Sequence, residues 1–219
     1  MLNNNDIGVY RSYIITMLLN IVKLIERSTY TFYHSDRVAS VSYLIGKEYG
    51  IPKRELSVLW RAALLHDIGK IGVDNDIIMK KGKLTDEEYE EIKNHPQYGY
   101  DILKPIPFFI VERYIIKHHH ERWDGSGYPD GLGGKDIHLF DRILSVADVL
   151  DSMVSNRPYR NSVGFFKACE EIIDLSGKCF DPDVVDIFKK LIDNNSILDK
   201  YKYFSFSMKG LSGDWVFAE

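Results

Sequence analysis

Apolar residues recur at intervals of three and four along most of the chain, with polar and charged residues between them. Such spacing places the apolar residues on one face of a helix and is typical of an amphipathic α-helix. The apolar stripe over about 35–49 is followed by Gly50, which favours the end of a helix, and by Pro52, which favours a helix start. We therefore predict a helix over about 35–49 and a second helix that carries His66 and Asp67 near its C-terminal end.

Five more helices are predicted further along the chain. Thr85, followed three residues later by Glu88, indicates a capping box that opens a helix. That helix should stop near Asn94, because the next residue precedes Pro96. The other four helices are predicted over about 106–120, 140–155, 163–175 and 181–192. A glycine-rich loop is predicted over 122–136, and no segment carries a strong strand pattern, so we expect an all-α fold.

The two ends of the chain carry different patterns. Apolar residues at helical spacing between residues 14 and 25 predict an amphipathic helix within an N-terminal extension, residues 1–29. Asn20 and Lys23 interrupt its apolar run, which is shorter than the ~20 residues of a membrane-spanning helix. We expect this helix to pack on its own domain, and packing against a second copy in a homodimer is the alternative. In the C-terminal tail, residues 196–219, alternating aromatic and polar residues favour a short hairpin.

Composition narrows the class of protein. A chain of 219 residues with 45% hydrophobic and 27% charged residues suits one soluble domain with an extension. The net charge of −4 provides no global basic field, so neither a nucleic-acid polymer nor an acidic membrane is an expected partner. Cys169 and Cys179 match no redox or zinc spacing, and no signal peptide is visible. These features predict a cytoplasmic location.

Histidine and aspartate residues gather at or near the predicted helix ends. Asp148 lies instead inside the apolar segment ILSVADVLDSM, where a carboxylate is costly to bury unless it is paired or bound to a metal. Each of these residues alone is more often structural than a ligand. Together they exceed what one ion needs, and they indicate two divalent metals that share a carboxylate. The candidate ligands are His34, His66, Asp67, His95, His119, His120 and Asp148.

Three basic residues are candidate phosphate contacts. Lys70 follows Asp67 by three residues and could reach a phosphate as a point charge. Arg157 and Arg160 come shortly after the helix that holds Asp148, and the arginine fork suits phosphate oxygens. The alternatives are a solvated lysine and surface salt bridges.

Four motifs together resemble the HD-GYP domain, a branch of the HD-domain metallohydrolases that carries an added Gly-Tyr-Pro loop. The motifs are HDIGK, HHERWDGSGYP, VADVLDSM and SNRPYR, in this order. The HD pair alone is a weak signal, whereas its combination with the downstream HHExxDGxGYP is specific. The resemblance covers about residues 30–195 and implies a catalytic HD-domain helical bundle with an added GYP loop.

The resemblance also implies roles for individual residues. The positions that match ligands of one metal are His34, His66, Asp67 and Asp148. The positions that match ligands of the second metal are Asp67, His95, His119 and His120, so that Asp67 is the bridge. Asp67 and Lys70 match catalytic positions. The positions that match substrate contacts or the loop around the substrate are Lys70, Gly127, Tyr128, Pro129, Arg157 and Arg160. His118 is expected to support the site rather than bind a metal, and His138 has no expected function.

The implied activity is hydrolysis of cyclic di-GMP to linear pGpG, in some relatives further to GMP, by two metals that activate a bridging water. Tyr30 stands where relatives with a third metal have a glutamate, so two metals are expected. Iron or manganese is the first expectation, and zinc, nickel and cobalt also suit His and Asp ligands. Two alternatives stay open: another cyclic dinucleotide such as cyclic GMP-AMP, or a catalytically weak module that binds a cyclic dinucleotide. The GYP loop also implies contacts with diguanylate cyclase (GGDEF) domains.

Overall fold

The computed structural model of the protein describes residues 4–155 and 162–201. Ten α-helices lie wholly within these residues, which contain no strand beyond an isolated bridge between Ser176 and Phe180. The helices are α1 (Asn4–Ser28), α2 (His34–Glu48), α3 (Lys53–Leu65), α4 (Asn75–Ile78), α5 (Asp86–Lys93), α6 (His95–Leu103), α7 (Ile110–His118), α8 (Leu139–Val154), α9 (Phe165–Asp174) and α10 (Pro182–Asp193). The expected all-α class is confirmed.

The predicted capping box at the start of α5 is present. The Thr85 hydroxyl accepts a hydrogen bond from the Glu88 backbone N–H at 3.3 Å, and the Glu88 carboxylate accepts one from the Thr85 backbone N–H at 2.7 Å. These two bonds satisfy N–H groups that the first turn of a helix leaves without an intrahelical partner.

Two stretches differ from the prediction. Helix α6 was not predicted, but it begins directly after α5 ends, because Pro96 in its first turn needs no hydrogen-bond acceptor there. The segment after Asp67 was predicted as a loop. It instead forms a 3₁₀ turn over Ile68–Gly72 and then α4, whose first turn is capped by the Asp74 carboxylate.

The main hydrophobic core lies between α2, α3, α8, α9 and α10. Its fully buried members include Val38 from α2, Leu59 from α3, Leu144 from α8 and Phe188 from α10. Because this core holds α2 and α8 together, the side chains that the two helices carry at the border of the core have fixed positions relative to one another.

Helix α1 packs on the domain through the apolar stripe predicted from the sequence. Leu18 and Val22 are buried in a second cluster, in which they join Phe109 and Ile116. The expected packing of α1 on its own chain is therefore confirmed, and α1 extends well beyond the predicted residues. By length and composition alone, Gly8–Ser28 would also suffice to cross a membrane.

The start of the C-terminal tail is helical. Residues 196–201 form helix rather than the first part of a hairpin, since Ile197 and Tyr201 are spaced by one helical turn and both are buried in the main core. The predicted hairpin otherwise falls on residues 202–219, which lie outside the described residues.

Candidate metal centre

The ends of four helices converge beside the middle of α8. His34 is the first residue of α2, His66 directly follows α3, and His95 is the first residue of α6. His119 and His120 directly follow α7, and Asp148 lies in the middle of α8. Apart from His120, which is half-buried, these residues and Asp67 are buried. The structure therefore brings all seven predicted metal ligands into one site.

One half of the site is formed by His34, His66, Asp67 and Asp148. The Nε2 atom of His34 lies 3.2 Å from His66 Nε2, 3.5 Å from Asp67 Oδ2 and 3.3 Å from Asp148 Oδ1. His66 Nε2 lies 3.5 Å from Asp67 Oδ2 and 3.7 Å from Asp148 Oδ1. Two ligand atoms that are each about 2.1 Å from the same ion lie about 3.0 to 3.5 Å apart. Ligand atoms of His34, His66 and Asp148 all lie within 4.8 Å of one another and fit one divalent ion, with Asp67 beside them.

The other half of the site is formed by three histidines and the second oxygen of Asp67. His95 Nε2 lies 3.4 Å from His119 Nε2 and 3.6 Å from Asp67 Oδ1. Ligand atoms of His95, His119 and His120 all lie within 4.8 Å of one another. Asp67 thus turns Oδ2 towards one cluster and Oδ1 towards the other, which is the arrangement that a bridging carboxylate requires.

Hydrogen bonds donated by Nδ1 leave Nε2 available in four of the histidines. His66, His95 and His119 each have a backbone carbonyl three residues earlier, at 2.7, 2.7 and 2.6 Å from Nδ1. His34 Nδ1 instead lies 2.7 Å from the carboxylate of Asp151. A ring that donates from Nδ1 presents an unprotonated Nε2, which is the form that binds a metal.

The protonation of His95, His119, His120 and Asp67 also suits metal ions, whereas at His34 burial lowers the pKa but hydrogen bonds to Asp148 and Asp151 outweigh it and raise the pKa, so that a bound metal would displace a proton there. Burial, aided by the charges of neighbouring histidines, lowers the pKa of His95 to about 3 and that of His119 well below its usual value. Burial also lowers the pKa of His120 to about 4. Burial opposes ionisation of Asp67, but the charges of Lys70 and the neighbouring histidines hold its pKa well below the usual range. Neutral histidines and ionised carboxylates are the forms that bind metals.

Lys70 lies at the edge of the centre. Its Nζ atom is 2.6 Å from Asp67 Oδ2, and the two residues are three positions apart around the 3₁₀ turn. Gly69 allows this turn to lie against α6, because a Cβ atom there would be 1.9 Å from the carbonyl oxygen of His95. The glycine thus brings Asp67 and Lys70 close to His95.

The GYP loop closes over the His119-His120 side of the site. The backbone N–H of Tyr128 donates to the carbonyl of His120 at 3.3 Å, and the two rings lie 4.9 Å apart. A Cβ atom on Gly127 would be 2.4 Å from the backbone nitrogen of Arg122, so only glycine fits there. Pro129 is exposed, and Arg157 and Arg160 lie outside the described residues.

A cavity of about 310 Å³ opens beside the centre. His119, His120 and Asp148 line one side of it, and Tyr128 lines another. The predicted ligands of the site thus border a space that can receive a small molecule.

Asp151 and His138 have roles that the sequence did not reveal, and His118 makes a contact of the kind expected of it. Asp151 orients His34, and the signal for it was its spacing of three residues from Asp148 on an apolar helix. His138 caps α8, since its Nδ1 accepts from the backbone N–H of Phe140 at 3.2 Å. His118 lies 2.9 Å from a carboxylate oxygen of Asp130, just after the GYP motif, which suits the supporting role expected of it.

Known proteins with similar sequences carry phosphodiesterase names. The sequence model of the HD domain family matches residues 20–184. A cyclic di-GMP phosphodiesterase of Thermotoga maritima is 43% identical over 178 residues, which are 80% of this chain and 48% of that protein. The cyclic di-GMP phosphodiesterase response regulator RpfG of Xanthomonas campestris is 40% identical over 69% of this chain and 40% of that protein. A 3'3'-cGAMP-specific phosphodiesterase of Vibrio cholerae is 39% identical over 80% of this chain and 38% of that protein. The chain thus spans less than half the length of each of these relatives.

Two solved structures share the fold. A cyclic GMP-AMP specific phosphodiesterase of V. cholerae superposes with a TM-score of 0.65 at 22% identity, covering 84% of this chain and 50% of that one. An HD-GYP-type protein of Bdellovibrio bacteriovorus superposes with a TM-score of 0.60 at 22% identity, covering 74% of this chain and 52% of that one. The family match, these relatives and the HD and GYP motifs agree, and the chain belongs to the HD-GYP branch of the HD-domain family of metal-dependent hydrolases.

Proposed function

We propose that this protein is a metal-dependent phosphodiesterase that hydrolyses cyclic di-GMP to linear pGpG. The observation that carries the proposal is the position of Asp67, which has Oδ2 3.5 Å from the Nε2 atoms of His34 and His66 and Oδ1 3.6 Å from that of His95. A carboxylate in this position can join two ions. Two ions about 3.5–4 Å apart are a recurring arrangement for in-line displacement at phosphorus.

The proposed ligand sets follow the two halves of the site. One ion would be held by His34, His66, Asp67 and Asp148, and the other would be held by Asp67, His95, His119 and His120. When bound, the two ions supply a water nucleophile at neutral pH and neutralise charge on the phosphoryl oxygens. Iron or manganese is proposed for both positions, because mixed imidazole and carboxylate sites accept them, and zinc, nickel or cobalt would also fit.

The chain's own residues have distinct parts in the proposed reaction. Water attacks the phosphorus and gives up a proton, the bond from phosphorus to the ribose 3′ oxygen breaks, and that oxygen takes up a proton, so the net change is the addition of one water. Lys70, a cation beside Asp67, stabilises the charge that develops on the phosphate and is a candidate donor of that proton. Burial raises the pKa of Tyr128 well above its usual value, so its phenol is a neutral hydrogen-bond donor at the cavity wall. Gly127 and Pro129 shape the loop around Tyr128, and Arg157 and Arg160 are proposed as further phosphate contacts.

Cyclic di-GMP is the first candidate substrate because the relatives from T. maritima and X. campestris are named for it. A mixed cyclic GMP-AMP is the second candidate, since a relative at 39% identity is named for 3'3'-cGAMP. Both compounds contain at least one guanine. We propose linear pGpG as the product. Chromatography of the products will also detect any further hydrolysis to GMP.

Two partner predictions accompany this function. The outer edge of the GYP loop, Pro129 and Asp130, is exposed and is the surface proposed to contact a diguanylate cyclase (GGDEF) domain. The outward face of α1 exposes Tyr13, Met17 and Leu24, and it is the surface proposed for a homodimer.

The function is tested by chromatography of the products formed from cyclic di-GMP by manganese-loaded protein. We expect linear pGpG from the wild type. Asp67→Asn should lower kcat/KM about 10³-fold or more, because a metal ion contributes several kcal/mol of transition-state stabilisation. Asp101→Asn is the matched control, since Asp101 is exposed on α6 away from the site. A wild type that binds cyclic di-GMP but forms no linear product would instead support a binding module.

A further inference from the structure

The cavity beside the metal centre is lined by residues that suit a nucleoside. The inference that a nucleoside binds there rests on the proposed function. Its volume of about 310 Å³ is at the lower end of the range of about 300–1,000 Å³ for ligand pockets. It is therefore of a size to receive one half of a cyclic dinucleotide rather than the whole molecule. Because His119, His120 and Asp148 line it, a nucleoside in the cavity would carry its phosphate at the metal ligands.

Aromatic and apolar residues form much of the rest of the cavity lining. Tyr89 and Tyr128 line it together, and the Nζ atom of Lys93 lies 5.5 Å from the centre of each of their rings. Leu175 and Phe180 supply apolar surface. Flat apolar and aromatic surfaces suit the faces of a nucleobase, and they accept any base, because every base has a π-face.

Besides the candidate metal ligands and the tyrosines, the polar residues of the described lining are Glu121, Arg122 and Ser145, and of these Arg122 carries a fork of hydrogen-bond donors that could distinguish bases. Among the described residues that line the cavity, it alone is an arginine or lysine. Its guanidinium makes no hydrogen bond or ion pair with another residue in the described part of the chain. It does interact electrostatically with the Asp124 carboxylate. Its backbone is held in place, because Gly127 packs against the Arg122 nitrogen. Arg122 is thus an exposed residue at the cavity, with a fixed backbone and a guanidinium that no described residue holds in a hydrogen bond or ion pair.

We propose that Arg122 selects a guanine base in this cavity by hydrogen bonding to its O6 and N7 atoms. Guanine presents two acceptors on that edge, which match the guanidinium fork. Adenine presents N7 but replaces O6 with an amino donor, which opposes the donors of arginine. Arg122 therefore favours substrates that contain at least one guanine. It does not discriminate between bases in the second nucleotide of the substrate.

The first test compares hydrolysis of cyclic di-GMP, cyclic GMP-AMP and cyclic di-AMP by the manganese-loaded protein. The wild type should hydrolyse the two guanine-containing substrates with a kcat/KM about 10- to 100-fold above that for cyclic di-AMP, the range that one bidentate contact supplies. Arg122→Gln should lower this preference at least about tenfold, because glutamine pairs with the N6 and N7 atoms of adenine. Arg54→Gln is the matched control, since Arg54 is exposed on α3 and lies outside the cavity lining.

The second test uses the two unequal phosphodiester bonds of cyclic GMP-AMP. With guanine held beside the metal ligands, one bond reaches Asp67 and the other does not, so the wild type should release a single linear isomer. Arg122→Gln should shift the product towards the other isomer, because adenine then competes for the cavity. An unchanged isomer ratio in the variant would overturn the proposal.

Two further outcomes separate this proposal from the proposed function. If Arg122→Gln lowers kcat/KM equally for all three substrates, Arg122 contacts a phosphate and the base selection is wrong. If the wild type hydrolyses none of them, the proposed function fails, and base selection is then read from the affinities of the same three compounds by calorimetry. A wild-type preference for guanine that Arg122→Gln removes supports Arg122 in that case, and equal affinities refute it.

Discussion

His34 differs from the other histidines of the site in what holds its ring. The Asp151 carboxylate accepts from it and also from Arg37, whose Nε lies 2.6 Å away, and from the Tyr201 hydroxyl at 3.0 Å. Asp151 is fully buried, so its charge must be compensated by these partners. One carboxylate thus orients a candidate metal ligand and ties together α2, α8 and the start of the C-terminal tail.

Asp151→Asn should weaken both metal binding and the fold. The change removes the Asp151 charge from beside the buried Arg37 guanidinium, so we expect the free energy of unfolding to fall by about 3 kcal/mol or more. Loss of the carboxylate behind His34 should lower the affinity for one metal about 10- to 100-fold. Urea denaturation measures the first effect, and competition with a chelator measures the second.

A surface aspartate provides the control for this variant. Asp186 pairs with Lys189 on α10 and its side chain is 69% exposed, so Asp186→Asn should change stability by less than about 1 kcal/mol. Equal effects of the two substitutions on metal affinity would show that Asp151 does not support His34.

At the scale of elements, the GYP loop is held by backbone contacts that leave no room for a side chain at Gly127. A Cβ atom there would lie 2.4 to 2.6 Å from backbone atoms of residues 120–122, none of which can rotate away. The loop must therefore shift if Gly127 is replaced, and Tyr128 would move with it away from His120.

Gly127→Ala should lower kcat/KM for the cyclic dinucleotide about tenfold or more while metal content stays unchanged, because a small displacement of a substrate contact is costly to catalysis. The matched control is Gly133→Ala in the same loop, where the nearest atom to an added Cβ is at 3.4 Å and the backbone is extended. Full activity of Gly127→Ala in a standard turnover assay would show that the position of Tyr128 is not needed.

The sequence predicted the long helices but missed others, for physical reasons. Apolar spacing located the long helices, because each buries one face in a core. It missed α6, since a proline usually signals that a helix stops, and only packing shows that a second helix starts at the same point. The candidate ligands followed from residue types and motif order. Asp151 and Arg122 did not, because their roles depend on which side chains and cavities the fold places beside them.

For the whole molecule, burial of the site histidines should make the stability of the metal-free protein depend on pH. Burial lowers the pKa of His95 to about 3 and that of His120 to about 4. Below about pH 6.5 these two histidines bind protons in the unfolded chain but stay neutral in the folded chain. The free energy of unfolding therefore falls as pH falls. Hydrogen bonds to Asp148 and Asp151 outweigh burial and raise the pKa of His34, so its contribution is lost as pH rises above about 6.5.

We therefore expect chelator-treated protein to be most stable near pH 6.5. His95 and His120 each contribute at most about 1.4 kcal/mol per pH unit on the acid side. Thermal unfolding at pH 5, 6.5 and 8 measures this, and a melting temperature that rises steadily from pH 6.5 to 5 would contradict the assignment of neutral histidines.

The most direct test of the two-metal centre is a titration of hydrolysis with metal. Metal-free protein receives Mn²⁺ in steps, and linear product from cyclic di-GMP is measured after each one. With Asp67 as a bridge between two ions, activity should rise mainly with the second equivalent and reach its plateau at two equivalents per chain. A plateau at one equivalent, a requirement for a third, or no linear product at any metal content would contradict the account.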